Sequence, residues 1–308
     1  MSQRIFSASD FQESPGRRSR SGGSVVGRIV SSLIGLILTM PALFLVISGG
    51  GRGYSQTLME KNAELDIGAI LLALVGLMLL LVVVLTGLFS AAGLLVGGVL
   101  TTAAGAAFVI DPGVARWVAE FVPGFGPAAP LTLGVWGQSG LLLVVGIVLL
   151  ASSLARVVAA RSGGTRSRGA RTLISIIVAV IATVGGLALV IVGSTALLRA
   201  VGSYGGNGSI DIGSLLILLA GAVVLGVVAL TSAWSSVGAM IVGAVLLVAG
   251  VAGFLPAISR GVFQAVAPLS SDGAAGASNV FAIGVVAVLG VALVGAAASC
   301  ARARRAAR

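Results

Sequence analysis

Apolar runs of roughly twenty residues, almost free of charge, recur from Ile29 to Cys300 of this chain. Each is long enough as a helix to cross a hydrocarbon core about 30 Å thick. Lipid supplies no water to satisfy free backbone groups, so a spanning segment must bond internally, as a helix does. The runs are continuous and lack the alternating polarity of barrel strands, which argues against a β-barrel. Charged residues make up only 9% of the 308 positions, against about 25% in a soluble domain. The expected fold class is an all-α integral membrane protein of about eight transmembrane helices.

The spans are expected near 27–48, 67–87, 90–110, 138–158, 172–198, 212–231, 235–255 and 279–300. The run from Ile29 to Ser48 is too long for a signal-peptide core and is not followed by a convincing small-residue cleavage site. It is read as the first span. Two pairs of runs nearly touch, at Phe89-Ser90 and Trp234-Ser235, and each aromatic-Ser pair marks a tight helical hairpin. The aromatic residues are expected to anchor at the interface and the serines to cap the following helices.

The basic residues fix an expected orientation. Arg4, Arg17, Arg18, Arg20 and Arg28 precede the first span, Arg156, Arg161, Arg166, Arg168 and Arg171 surround the middle of the chain, and Arg302, Arg304, Arg305 and Arg308 follow the last. Only Arg52, Lys61, Arg116, Arg199 and Arg260 fall on the other side. Loops rich in Lys and Arg stay cytoplasmic, so both termini are expected inside. The arginine bias and the abundance of Gly, Ala and Val point to a bacterial plasma membrane as the location. Placed in tails and a linker, without interleaved aromatics, the net charge of +10 argues for membrane orientation and against nucleic-acid binding. The same arginines are available to anionic lipid headgroups at the cytoplasmic face.

The two halves of the sequence repeat each other. Leu65-Asp66-Ile67-Gly68 matches Ile210-Asp211-Ile212-Gly213 at a shift of 145 residues. The same shift joins Gly76 to Gly221, Leu85-Thr86 to Leu230-Thr231, Phe89-Ser90 to Trp234-Ser235, and Gly93, Gly98 and Gly105 to Gly238, Gly243 and Gly250. Each half closes alike, Ser153-Leu154-Ala155-Arg156 against Ser299-Cys300-Ala301-Arg302. Four spans return a chain to its starting side, so two tandem, parallel-oriented four-helix repeats are expected, related by an axis along the membrane normal. The organisation read from this is a disordered basic cytoplasmic tail at 1–24, a first repeat at 25–160, a basic linker at 161–171, a second repeat at 172–300 and a basic tail at 301–308.

Candidate sites are few. Asp66 and Asp211 each precede a span and are read as N-caps in preference to ion ligands. Thr39 with Pro41, and Thr183 with Gly185, pair a hydroxyl with a weakened helix near mid-membrane. Such discontinuities form substrate sites in transporters, although Pro and Gly are also common in ordinary spans. In the outer loop, Asp111-Pro112 opens a short helix with Val114, Trp117, Val118 and Phe121 on one face and Arg116 and Glu120 at i, i+4 on another. It is an interfacial helix or a docking surface for a membrane-protein partner. Arg260 and Gln264 beside Val262 and Val266 are its weaker copy. Gly93 and Gly97 have the spacing of a helix-packing seam. Cys300, the single cysteine, reads as an inert small residue.

The chain has no histidine, no P-loop or dinucleotide fingerprint, and no acid deep in a span. It is therefore read as a non-enzyme without a cofactor or metal. A noncatalytic scaffold or accessory subunit is the leading expectation. A transporter or facilitator of a small neutral or lipidic substrate is the alternative, since such a path can be lined by Thr, Ser, Gly and backbone carbonyls without intramembrane charge. The orientation is checked by single-cysteine labelling in a Cys300→Ser background. Ser209→Cys should react with an impermeant maleimide in intact cells, and Ser167→Cys should react only after the cells are opened.

Overall fold

A computed structural model of the chain describes residues 25–59, 65–111, 113–114, 117–118, 128–161, 168–203 and 210–306. Arg116, Glu120, Phe121, the 1–24 tail and residues 162–167 of the linker lie outside the described residues. Among the described residues every regular element is a helix. They are α1 (Val25–Met59), α2 (Ile67–Thr86), α3 (Ala92–Ile110), α4 (Ala128–Gln138), α5 (Leu141–Arg161), α6 (Arg168–Ser203), α7 (Ile212–Thr231), α8 (Ser236–Ala252), α9 (Pro256–Val266), α10 (Ser271–Ala282) and α11 (Val285–Ala306). Seven of these are long and apolar enough to cross a membrane. The eighth expected span is the bent pair α8–α9, whose axes turn by 112° at the break.

The outward faces are apolar in the pattern that a lipid solvent requires. On α2, Leu71, Val75, Met78, Val82 and Leu85 point outward, while Ala73, Gly76, Leu77, Leu80 and Val84 are buried. The spacing of three and four residues keeps each set on its own side of the helix. α5 and α11 differ, because they bury residues all round, from Leu141 to Ala151 and from Val285 to Ala297 with few gaps. They are the centre of the bundle.

The packing runs as follows. α1 lies against α2 and α3, and α3 against α5; α6 lies against α7 and α8, and α8 against α11. α5 and α11 then touch each other, and each also meets a helix of the other half, α5 on α7 and α11 on α2. α4 rests on α1, and α9 and α10 pair with each other, α10 lying on α6.

Two glycines set how closely the central helices approach. A Cβ on Gly146 of α5 would stand 2.3 Å from Thr102 Oγ1 and 2.4 Å from its backbone nitrogen on α3. A Cβ on Gly290 of α11 would stand 2.4 Å from the Leu247 nitrogen on α8. Nothing drives helices together in lipid by the hydrophobic effect, so dispersion contacts at backbone separation carry the association.

The spans expected at 138–158 and 279–300 begin later than the sequence reading placed them, at Leu141 and Val285. Short helices precede both, broken from them at Gly140 and Gly284. Their φ values of 72° and 90° lie in the left-handed region, which only glycine enters at low cost. The expected Ser235 cap is absent, since its side chain makes no capping bond to α8. Ser90 Oγ does accept from the Ala92 N–H at 3.1 Å.

Close approach at these seams makes a direct expectation. Gly146→Ala and Gly290→Ala should each destabilise the detergent-solubilised protein by about 1–3 kcal/mol through overpacking. Gly185→Ala, whose Cβ would meet nothing within 4 Å, should be neutral or stabilising by up to about 1 kcal/mol. Denaturant unfolding followed by circular dichroism reads both.

Candidate functional site

Thr39 is fully buried on α1, and its hydroxyl donates to the Gly35 carbonyl at 2.5 Å, within its own helix. It faces α3, where a Cβ on Gly97 would stand 2.6 Å from Thr39 Oγ1. Pro41, two positions on, is exposed on the outer face of an α1 that continues through it. Thr183 on α6 is buried, and its Oγ1 finds no hydrogen-bond partner among the described residues. Gly185 is exposed. α1 and α6 share no packed interface, so the two Thr-centred stretches are not brought together into one site.

The segment after α3 divides its apolar residues. Val114 and Val118 pack on the core, whereas Trp117 is 60% exposed. The two valines close one side of a cavity of about 310 Å³ whose lining is wholly apolar. Met40, Leu43 and Phe44 of α1, Phe108 of α3 and Leu133 of α4 complete most of its wall. None of the four mid-membrane candidates lines it. In the second half, α9 exposes Ile258, Phe263 and Arg260 and buries Ser259.

At the end of the bundle where α2 and α7 begin, the two aspartates cap helices. Asp66 Oδ1 accepts from the Ala69 N–H at 2.9 Å, and Asp211 Oδ1 accepts from the Gly213 N–H at 3.1 Å. Asp211 also accepts from the Ser214 hydroxyl, which, with these backbone bonds, holds its carboxyl below the usual range. Arg199 near the end of α6 grips Asp272 at the start of α10 as an exposed ion pair, and this keeps the Asp272 carboxyl low as well. Among the described residues no three His, Cys, Asp or Glu side chains gather in a metal-binding arrangement.

The opposite end, which carries residue 25 and residue 306, is held by Ser31 and Ser175, which sequence reasoning did not single out, and by arginines that it read for orientation, the repeat and lipid headgroups. Ser31 Oγ of α1 accepts from the Gly93 N–H at 2.9 Å and donates to the Ser90 carbonyl at 3.5 Å. Ser175 Oγ of α6 donates to the Ser235 carbonyl at 3.2 Å. Each ties a long helix to the hairpin turn beside it. The turn aromatics Phe89 and Trp234 are exposed. Arg302 lies over the Phe89 ring at 5.0 Å from its centroid. Arg304 donates to the Ser232 carbonyl and, at 2.9 Å, to that of Ala233. Arg156 Nη2 donates to the Leu88 carbonyl at 3.4 Å. Cys300 is buried and accepts from the Ser232 hydroxyl at 3.2 Å, a packing role. A signal for these arginines did exist, since they fall one or two turns before the helix ends opposite a hairpin whose last carbonyls need donors.

Comparison of the chain with protein-family models, curated proteins and solved structures finds no match.

The lowered Asp211 carboxyl contributes stability above the unfolded carboxyl pKa, and this is lost as pH falls through the folded value. Melting temperature should therefore decline below about pH 4, and Asp211→Asn should flatten that part of the profile relative to the parent protein.

Proposed function

We propose that this protein is a noncatalytic membrane scaffold or accessory subunit, formed from two tandem four-span repeats in a bacterial plasma membrane with both termini cytoplasmic. The observation that carries the reading is the filled centre. α5 and α11 bury residues on every side, and their hydroxyls are spent on carbonyls of their own helices: Ser152 on Val148, Ser153 on Leu150, Ser299 on Ala296. The parts left to interact are at the rim, where Trp117 and the apolar side chains of α9 are exposed.

The duplication is supported by the packing order. Exchanging α1, α2, α3 and α5 with α6, α7, α8 and α11 turns α1–α2, α1–α3, α2–α3 and α3–α5 into α6–α7, α6–α8, α7–α8 and α8–α11, and turns α5–α7 into α11–α2. Only α5–α11 maps onto itself, as helices beside a two-fold axis do. The left-handed glycines 140 and 284 and the seam glycines 146 and 290 are each 144 residues apart. This register matches Arg156 with Cys300, two residues away from the Ser153–Arg156 with Ser299–Arg302 match read from the sequence alone.

A second reading, passage of a lipidic molecule, has one observation in its favour, the wholly apolar cavity beneath Val114 and Val118. Affinity purification from native membranes in mild detergent separates the two. The accessory reading expects a stoichiometric protein partner, recovered at least roughly tenfold less with Trp117→Ala/Phe121→Ala, as for a disrupted aromatic anchor. Recovery of the protein alone with a bound lipidic molecule, followed by flux in reconstituted vesicles, would instead establish transport.

A further inference from the structure

The end of the bundle that carries residue 25 holds a cavity of about 490 Å³ between α1, the start of α3 and the end of α5. Arg28 comes to it from the first turn of α1, and Arg156 and Arg161 from the last turns of α5. No carboxylate is among its described lining residues. Guanidinium groups gathered on one cavity focus a positive potential that favours an anion. Arg156 is the most constrained of the three. One of its nitrogens bonds the Leu88 carbonyl, while its buried Nε has no acceptor among the described residues. Ser90 and Ala92, at the amino end of α3, line the same cavity, so the positive end of that helix dipole adds to the field.

The remaining wall is apolar. Leu95, Leu154 and Val157 line the cavity and are exposed on the outer, lipid-facing surface. A ligand that satisfies both parts carries a compact anionic head with several acceptor oxygens and a hydrocarbon tail joined to it. Guanidinium forks match phosphate oxygens in pairs, which favours phosphate as the head. We infer that this pocket binds the phosphate group of one anionic phospholipid, with Arg28, Arg156 and Arg161 on the headgroup and its first methylenes along Leu95, Leu154 and Val157.

The second half does not repeat two of these three arginines. In the 144-residue register Thr172 stands where Arg28 does and Cys300 where Arg156 does. Of the basic residues next on α11, Arg302 lies over the Phe89 ring and Arg304 is directed to the Ser232 and Ala233 carbonyls. This goes beyond the generic attraction of basic loops to an anionic leaflet, because it predicts a single tight lipid and names its position. It holds whether the protein is an accessory subunit or a transporter.

The test is native mass spectrometry of the full chain, delipidated in neutral detergent and titrated with phosphatidylglycerol, phosphatidylcholine or inorganic phosphate. One phosphatidylglycerol should be retained at a concentration where phosphatidylcholine is lost, and phosphate should neither bind in its place nor displace it. Arg28→Gln/Arg161→Gln alters two exposed side chains at helix ends and should keep its elution volume while binding about tenfold or more weakly per lost arginine. Arg156→Gln should do the same at the constrained position. Arg305→Gln, the counterpart of Arg161 in the other half, should bind as the parent does. Equal retention of phosphatidylcholine, replacement of the lipid by free phosphate, undiminished binding by the double variant, or equal loss in Arg305→Gln would each overturn the inference.

Discussion

Backbone hydrogen bonds with nowhere else to go govern this structure. In hydrocarbon an amide or carbonyl left without a partner costs several kcal/mol, so each spanning segment closes its own ladder. That constraint falls hardest where helices end. Here the ends are met by side chains: by the helices' own N-caps Asp66 and Asp211 at one end of the bundle, and by Ser31, Ser175, Arg156 and Arg304 of neighbouring helices at the other. A hairpin such as Leu88–Ser90 is thereby fastened to helices on both sides of it. Tertiary contacts at that level are consequences of unfinished helical bonding.

Between the ends, association depends on distance alone. The helices have no apolar surface to hide from water, and small residues let backbones come close enough for dispersion to accumulate. Glycines 93 and 97 illustrate the geometry, since the first meets Ser31 and the second Thr39, both on α1. Thr39 can sit there because its hydroxyl is satisfied by the Gly35 carbonyl of its own helix. Its counterpart Thr183 lacks such a bond, and the two halves therefore differ in polarity at equivalent depth.

The halves differ more at the basic end. Arg304 in the second half is directed to carbonyls, whereas Arg28, Arg156 and Arg161 in the first half line an open cavity. Where two similar stretches of sequence pack against each other, their end positions do not meet identical surroundings. Charge can then be concentrated on one side without disturbing the shared helical frame, which rests on glycines and aliphatic residues in both halves.

Run lengths and their low charge determined by themselves that the chain is helical and that seven or eight helices are long enough to span, because one solvent imposes one rule on every segment. The boundaries of α2, at Ile67 and Thr86, are legible to within a residue from Asp66 and the aromatic-Ser turn. Less legible were α4 and α10, whose apolar residues continue into α5 and α11 and whose separation depends on two glycines with positive φ. The candidate sites were legible only as residue types. Hydrophobicity does not say which helices are central, and a threonine near mid-membrane looks the same whether it faces a partner helix or a pathway. Tertiary structure decided that Thr39 and Thr183 lie on helices without a shared interface, that Val114 and Val118 turn inward, and that Arg28, Arg156 and Arg161 meet at one cavity. Those outcomes depend on how far each helix rotates about its axis. Backbone contact at the glycine seams sets that rotation, and no single segment carries it alone.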